Sequence, residues 1–256
     1  MSRQLLIPAA DTRLYAVDAP GGTPALLFLS GGFGTVQNWS RVIRRLDGKY
    51  RTVRFDARAR GKSGRSADYS LRGAVDDIGR VIDATGIERP ILVGWSHGAT
   101  IAVRYAAHHP GRVGGLVLID GAYPIAMLDE AGKQKVRTQF RRLGWIMHVM
   151  AAFGRSARMS PVESAVIVIE MDAVNGELGP DFAALECPTV FVVGTGAHSG
   201  ATEDEMRTVR AAAADAEESS NRVSVFATTP HKHTQILNKA PDTVVAAIED
   251  VIQRSS

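Results

Sequence analysis

The sequence predicts an α/β fold, in which a mostly parallel eight-stranded sheet is flanked by helices. Short runs that are apolar throughout recur along the chain, as expected of strands that are buried on both faces. Most of these runs are followed by a stretch with apolar residues at helical spacing, which is typical of a parallel sheet covered by helices. The first two runs instead alternate polar and apolar residues, and they predict an antiparallel pair at one edge.

The predicted elements follow one another in a regular order until the sixth strand. The predicted strands are Gln4–Ile7, Arg13–Val17, Ala25–Leu29, Arg51–Phe55, Ile91–Val93, Leu116–Ile119, Thr189–Val193 and Val223–Phe226. The predicted helices are Gln37–Leu46, Leu71–Ala84, His97–His108, Thr138–Phe153, Thr202–Ala214 and Pro241–Ile252.

The alternation of strand and helix stops between Ile119 and Thr189. In its place is a stretch with apolar residues at helical spacing, namely Leu143, Ile146, Met147 and Met150, beside Trp145 and Phe153. We interpret residues 123–180 as a helical lid that is inserted after the sixth strand. The core domain would then comprise residues 1–122 and 181–256.

The amino-acid composition limits the kinds of function and partner that we expect. The chain has 256 residues, is 45% hydrophobic and carries 30 basic and 27 acidic residues, so its net charge of +3 is small. This balance favours a small-molecule substrate over nucleic acid, and no stretch is apolar enough for a membrane span. The single cysteine, Cys187, excludes an internal disulfide. We expect a soluble, cytoplasmic protein, and the sequence does not predict its oligomeric state.

The most informative motif is Gly94-Trp95-Ser96-His97-Gly98, which lies between a predicted strand and a predicted helix. A sharp turn at this junction needs glycines, because a Cβ atom would block the reversal of the chain. Ser96 would then lie at the tip of the turn with its hydroxyl exposed. The amide of His97 would be available to bind an oxyanion.

Four segments in this order resemble the α/β-hydrolase superfamily over almost the whole chain. They are Leu29-Ser30-Gly31-Gly32-Phe33-Gly34, the stretch Phe55-Asp56-Ala57-Arg58-Ala59-Arg60-Gly61-Lys62-Ser63, the Ser96 motif, and His233 followed by Pro241 and an apolar helix. The resemblance implies that Ser96 is a nucleophile and that a histidine after the last strand is its base. The sequence His231-Lys232-His233 offers two candidates, of which His233 is better spaced from the final helix.

The same resemblance implies an oxyanion hole made by backbone amides. His97 would supply one donor and Gly32 the other, with Phe33 as the alternative. Ser30 stands where the family usually has histidine. Asp56 is expected to hold loops together rather than to take part in catalysis. No metal and no cofactor are expected, because the His-x-His spacing has no third ligand nearby.

The acid of the triad is the least determined residue. The family usually places it after the strand Thr189–Val193, where this chain has Ala197. Asp120, at the end of the preceding strand, is the favoured candidate, because it could orient His233 from the edge of the sheet. Glu203 or Asp204, or a Ser–His pair without an acid, remain alternatives.

The predicted activity is hydrolysis of an ester, thioester or related acyl bond through an acyl-enzyme. A lyase or C–C bond hydrolase with the same residues is one alternative, and a binding protein that retains Ser96 without catalysis is another. A small, fairly apolar substrate is expected to contact the residues Phe33, Trp95, Tyr123, Trp145, Met147 and Met150.

Overall fold

The structure, a computed structural model, describes residues 2–152, 157–196 and 203–255. It contains one eight-stranded sheet. The strands are β1 (Arg3–Ala9), β2 (Thr12–Ala19), β3 (Gly22–Leu29), β4 (Tyr50–Phe55), β5 (Ile91–Trp95), β6 (Gly115–Ile119), β7 (Thr189–Gly194) and β8 (Val223–Thr229). All eight lie where the sequence predicts strands, and most extend a few residues beyond the predicted bounds.

The strands are arranged in the order β1-β2-β4-β3-β5-β6-β7-β8. β2 is antiparallel to both of its neighbours, β1 and β4, whereas all pairs from β4 to β8 are parallel. The predicted antiparallel pair at one edge is therefore confirmed. Because the remaining strands are parallel, their carboxyl ends meet at the same edge of the sheet.

Helices cover both faces of the sheet, as predicted. The helices are α1 (Ser40–Leu46), α2 (Leu71–Thr85), α3 (His97–His108), α4 (Glu130–Ala152), α5 (Pro161–Asn175), α6 (Leu178–Ala183), α7 (Glu203–Ser219), α8 (Ile236–Lys239) and α9 (Pro241–Arg254). Buried side chains of α2, α3, α6 and α7 form one core cluster with the sheet. Those of α1, α8 and α9 form a second cluster on the opposite face.

In the described part of the connection from β6 to β7, the chain forms the helices α4, α5 and α6. The expected insertion, residues 123–180, contains α4 and α5 and ends within α6. α4 begins at Glu130, before the predicted start at Thr138, and α5 and α6 were not predicted as separate helices. α6 buries Leu178 and Phe182 in the core, which ties the end of the segment to the sheet.

Two further observations concern the single cysteine and the character of the described helices. Cys187 is a buried free thiol, and burial raises its pKa to about 11. Among the helices of the described ranges, none combines the length and the apolar character that a membrane span requires.

Candidate active site

Ser96 lies at the sharp turn between β5 and α3. Its backbone has φ 57° and ψ −123°, a conformation that is strained for a residue with a side chain. Its amide donates a hydrogen bond of 2.9 Å to the carbonyl of Ile119 on the neighbouring strand, which fixes the turn against the sheet. The strain is therefore held in place by the parallel ladder next to it.

The two glycines of the motif allow the backbones around Ser96 to approach closely. A Cβ atom on Gly94 would lie 2.5 Å from the carbonyl oxygen of Gly98. A Cβ atom on Gly98 would collide with the carbonyl of Leu29, the last residue of β3. Both positions therefore require glycine, as the motif predicts.

A third glycine, Gly121, has the same function and was missed by the sequence analysis. Its missing Cβ would lie 2.7 Å from the Cα of Ser96. The preceding residue, Asp120, has a φ of 46°, so the chain turns sharply as it leaves β6. The sequence signal was the pair Asp120-Gly121 directly after an apolar strand.

The structure brings Asp120 and His233 into contact. His233 lies in a short 3₁₀ helix, His233–Gln235, after β8, and its Nδ1 is 2.8 Å from Oδ2 of Asp120. The Asp120 side chain is fully buried, whereas that of His233 is 21% exposed. His233, not His231, thus bonds to the carboxylate. Because Nδ1 faces the carboxylate, Nε2 is the ring nitrogen on the side away from Asp120.

The other carboxylate oxygen of Asp120 is held by two donors. Oδ1 accepts hydrogen bonds from the hydroxyl of Tyr123 at 2.8 Å and from the amide of Gly194 at 3.0 Å. Burial raises the pKa of Tyr123 well above its ordinary value, and the nearby Asp120 carboxylate adds to this effect. Tyr123 therefore stays protonated as a donor.

The loop between β3 and α1 faces Ser96 across a small cavity. The hydroxyl of Ser30 accepts a bond of 2.9 Å from the Trp39 indole and lies 3.2 Å from the carbonyl of Thr35, so it stabilises the loop in place of the usual histidine. Within the part of the chain that is described, the amides of Gly32, Phe33 and His97 have no hydrogen-bond acceptor. All three are free to bind an oxygen atom.

The cavity next to Ser96 has a volume of about 370 Å³. The residues that line it are Gly31, Gly32, Phe33, Gly34, Thr35, Asn38, Trp95, Ser96, His233 and Thr234. Two predicted substrate contacts, Phe33 and Trp95, are in this set. The Trp95 ring also packs against His233, with ring centroids 5.3 Å apart.

Two other predicted substrate contacts do not line the cavity. Tyr123 is buried below it, where its hydroxyl bonds to Asp120 and its ring stacks on Phe191. Trp145 is 71% exposed on α4 and points away from the core. The sequence places Trp145 beside a predicted apolar helix face, but helical spacing does not show what that face contacts. Met147 and Met150 lie outside the residues whose side chains are described.

His97 and Asp56 lie near the site, but neither residue lines the cavity next to Ser96. Burial, together with the nearby charge of Arg60, lowers the pKa of His97 to about 3, so its ring is neutral at physiological pH. Burial raises the pKa of Asp56, whose carboxylate accepts bonds from the amides of Val36 and Lys62. Asp56 thus joins two loops, as expected.

The described side chains do not include the alternative acids, and they do not form a candidate metal site. The side chains of Glu203 and Asp204, and all of Ala197, lie outside the described residues. Within the described ranges, no three His, Cys, Asp or Glu side chains are grouped as a metal site.

Several known proteins are similar to parts of this chain. A RutD protein of Caulobacter sp. (strain K31), which carries a provisional assignment as a carbamate hydrolase, is 33% identical over 93 residues, or 36% of this chain and 34% of its own length. A fluoroacetate dehalogenase of Burkholderia sp. is 31% identical over 134 residues, or 50% of this chain and 44% of its own length. The chain thus matches about a third to a half of each of these relatives.

Solved structures resemble the whole fold. A carboxylesterase of Nitrososphaera gargenis superposes with a TM-score of 0.77 at 17% identity, covering 98% of this chain and 99% of that one. The esterase EaEST of Exiguobacterium antarcticum gives a TM-score of 0.76 at 19% identity, covering 98% and 100%. A family model described as the α/β-hydrolase fold matches residues 24–156, more than half of the chain. The chain therefore belongs to the α/β-hydrolase fold family.

Proposed function

We propose that the protein is a cofactor-independent serine hydrolase that cleaves an ester, thioester or related acyl bond through an acyl-enzyme. The observation that carries the proposal is the 2.8 Å contact between His233 and Asp120, because it orients the imidazole of His233 at the cavity that Ser96 also lines. The strained turn at Ser96 adds support, since strain of this kind is concentrated at functional sites.

In the first half of the reaction, Oγ of Ser96 attacks the substrate carbonyl carbon. Nε2 of His233 takes the hydroxyl proton as the new C–O bond forms. The buried Asp120 carboxylate holds Nδ1 protonated and stabilises the resulting imidazolium. His233 then gives the proton to the leaving alcohol or thiol, which departs and leaves the acyl group on Ser96.

The second half repeats these steps with water. His233 takes a proton from water as its oxygen attacks the acyl carbon, and it returns the proton to Ser96 as the carboxylic acid leaves. In both halves the carbonyl oxygen carries a negative charge. The amide of His97 and an amide of the loop, Gly32 or Phe33, are the donors proposed to bind it, each contributing about 3 kcal/mol in comparable sites.

The cavity suggests a small acyl substrate of mixed polarity. Its apolar wall is formed by Phe33 and Trp95, while Thr35, Asn38 and Thr234 offer polar groups. A volume of about 370 Å³ is at the lower end of the range for ligand pockets. Because RutD is assigned to carbamates, a carbamate belongs beside esters and thioesters in any substrate panel.

A fluorophosphonate probe tests the proposal directly, because it labels only an activated serine. We expect the wild-type protein to be labelled and Ser96→Ala to remain unlabelled. Ser224→Ala is the matched control, since Ser224 lies near the start of β8, at the opposite edge of the parallel sheet. Wild-type protein that is folded and unlabelled would contradict the proposal and favour a binding protein.

Turnover measurements then identify the acyl group. We expect p-nitrophenyl acetate and butyrate to be cleaved with higher kcat/KM than longer esters, because the cavity is small. Labelling of Ser96 without hydrolysis of any ester, thioester or carbamate would point instead to the lyase alternative.

A further inference from the structure

Arg60 lies beneath the loop that faces Ser96, where it is almost completely buried. Its Nε and Nη2 donate hydrogen bonds of 2.8 and 2.6 Å to the carbonyl oxygen of Gly32. Its Nη1 donates a bond of 2.7 Å to the carbonyl of Arg58. The guanidinium therefore binds one loop carbonyl with two donors, on the side of the loop away from the Ser96 cavity, where it shares a small cavity with His97.

The charge of Arg60 is not neutralised by an acid. Among the described residues it pairs with no carboxylate, and the acid that lines the same small cavity, Asp77, already bonds to Arg58 and Arg80. Burial lowers the pKa of Arg60 to about 10, which still leaves it protonated at neutral pH. Burying a cation without a counterion destabilises the folded protein, so we expect Arg60 to have a role that offsets this cost.

The loop that Arg60 binds is rich in glycine. Gly31, Gly32 and Gly34 lie within four consecutive positions, and glycine permits rotations of the peptide that other residues resist. Both candidate oxyanion donors adjoin the Gly32 carbonyl: one is the amide of Gly32 itself, and the other is the amide of Phe33 in the same planar peptide unit. A rotation of that unit by about 180° would exchange the directions of the Phe33 N–H group and the Gly32 carbonyl oxygen. An acceptor would then stand where the donor had been.

We propose that Arg60 is a positioning residue that fixes the oxyanion loop by holding the Gly32 carbonyl with two hydrogen bonds. The inference rests on the proposed hydrolase function. Rotation of the Gly32–Phe33 peptide would break two charge-assisted bonds in a buried environment, where such bonds are strong.

The nearby Arg58 provides a matched control, because it is equally buried but serves another purpose. Its guanidinium forms a bidentate pair with Asp77 and does not touch the loop. We expect Arg60→Met to lower kcat for p-nitrophenyl acetate by about 10–100-fold with little change in KM, as for partial loss of an oxyanion donor. Arg60→Lys, which keeps the charge and one donor, should recover part of the loss. Arg58→Lys should change thermal stability more than kcat.

A second readout does not depend on turnover. Amide hydrogen exchange of a peptide that covers residues 30–35 should be faster in Arg60→Met than in wild-type protein and unchanged in Arg58→Lys. Unchanged exchange, or an unchanged kcat in folded Arg60→Met, would overturn the proposal. If the wild-type protein lacks turnover altogether, the proposed function fails, whereas the exchange experiment still decides whether Arg60 holds the loop.

A pair of substrates separates positioning from direct binding of an anionic substrate. The same kcat loss is expected for the neutral acetate and for the negatively charged mono-p-nitrophenyl succinate. A loss confined to the KM of the succinate would instead show that Arg60 binds a substrate carboxylate, and would overturn the positioning role.

Discussion

At the carboxyl edge of the sheet, Asp120 and its hydrogen-bond donor Tyr123 are buried, whereas α4 and α5 expose several large apolar side chains. Asp120 has partners for both carboxylate oxygens. By contrast, Trp145 on α4 and Val162 and Val166 on α5 are each more than half exposed. The two regions therefore differ in how precisely they fix the groups that could meet a substrate.

The difference has a physical cause. At the sheet edge, parallel strands end in register, so the residues that follow them lie within reach of one another. In the α4–α5 segment, the described contacts with the cavity wall are made to Phe33. Phe140 of α4 packs against it with ring centroids 5.6 Å apart, and Ile167 of α5 belongs to the apolar cluster on which Phe33 packs. We therefore expect chemistry to depend on the sheet edge, and substitutions in α4 to have much smaller effects.

The largest of these effects is expected at Asp120. Asp120→Asn keeps the size of the side chain, but its amide cannot stabilise an imidazolium and can hold His233 in the wrong tautomer. We expect kcat to fall by about 10⁴-fold, with retained folding, as in related triads. Steady-state kinetics with circular dichroism as the folding control tests this. A rate near that of the wild-type protein would exclude Asp120 as the acid, in favour of Glu203, Asp204 or a Ser–His pair without an acid.

A smaller effect is expected at Tyr123, which acts on the site only through Asp120. Tyr123→Phe removes one of the two donors to Oδ1 and leaves the Gly194 amide in place. We expect kcat to fall by about 10-fold, because a hydrogen bond to a charged group contributes about 1.5–3 kcal/mol. Tyr105→Phe, which alters a buried tyrosine on α3, should leave kcat unchanged. An unchanged kcat in Tyr123→Phe, or a change confined to KM, would return Tyr123 to the role of a substrate contact.

The same contrast explains what the sequence could predict. The strands and the turn at Ser96 follow from local patterns. The pairing of His233 with Asp120 was predicted from the resemblance to the α/β-hydrolase superfamily, with other acids left open. The roles of Tyr123 and Arg60 depend on which buried partner each side chain reaches. Neither periodicity nor a motif encodes that choice.

The helices after β6 were predicted less well for a related reason. α5 contains the run Val166-Ile167-Val168-Ile169, whose β-branched residues favour a strand. Its start is nevertheless fixed by a capping box, in which Ser160 and Glu163 bond to each other's backbone amides and Pro161 occupies the first turn. That signal was present in the sequence. The role of the segment 123–180 as a lid stays a prediction.

The smallest effect is expected at Trp145. This prediction tests the difference between the sheet edge and the α4–α5 segment most directly. Because its side chain is 71% exposed and does not line the cavity, Trp145→Ala should change kcat and KM for p-nitrophenyl acetate by less than about twofold. Phe33→Ala is the matched comparison, since it removes an aromatic ring that does line the cavity, and it should raise KM clearly more. If Trp145→Ala instead raised KM as much as Phe33→Ala, α4 would have to close over the cavity during turnover. The helical segment would then contribute to substrate binding as directly as the sheet edge does.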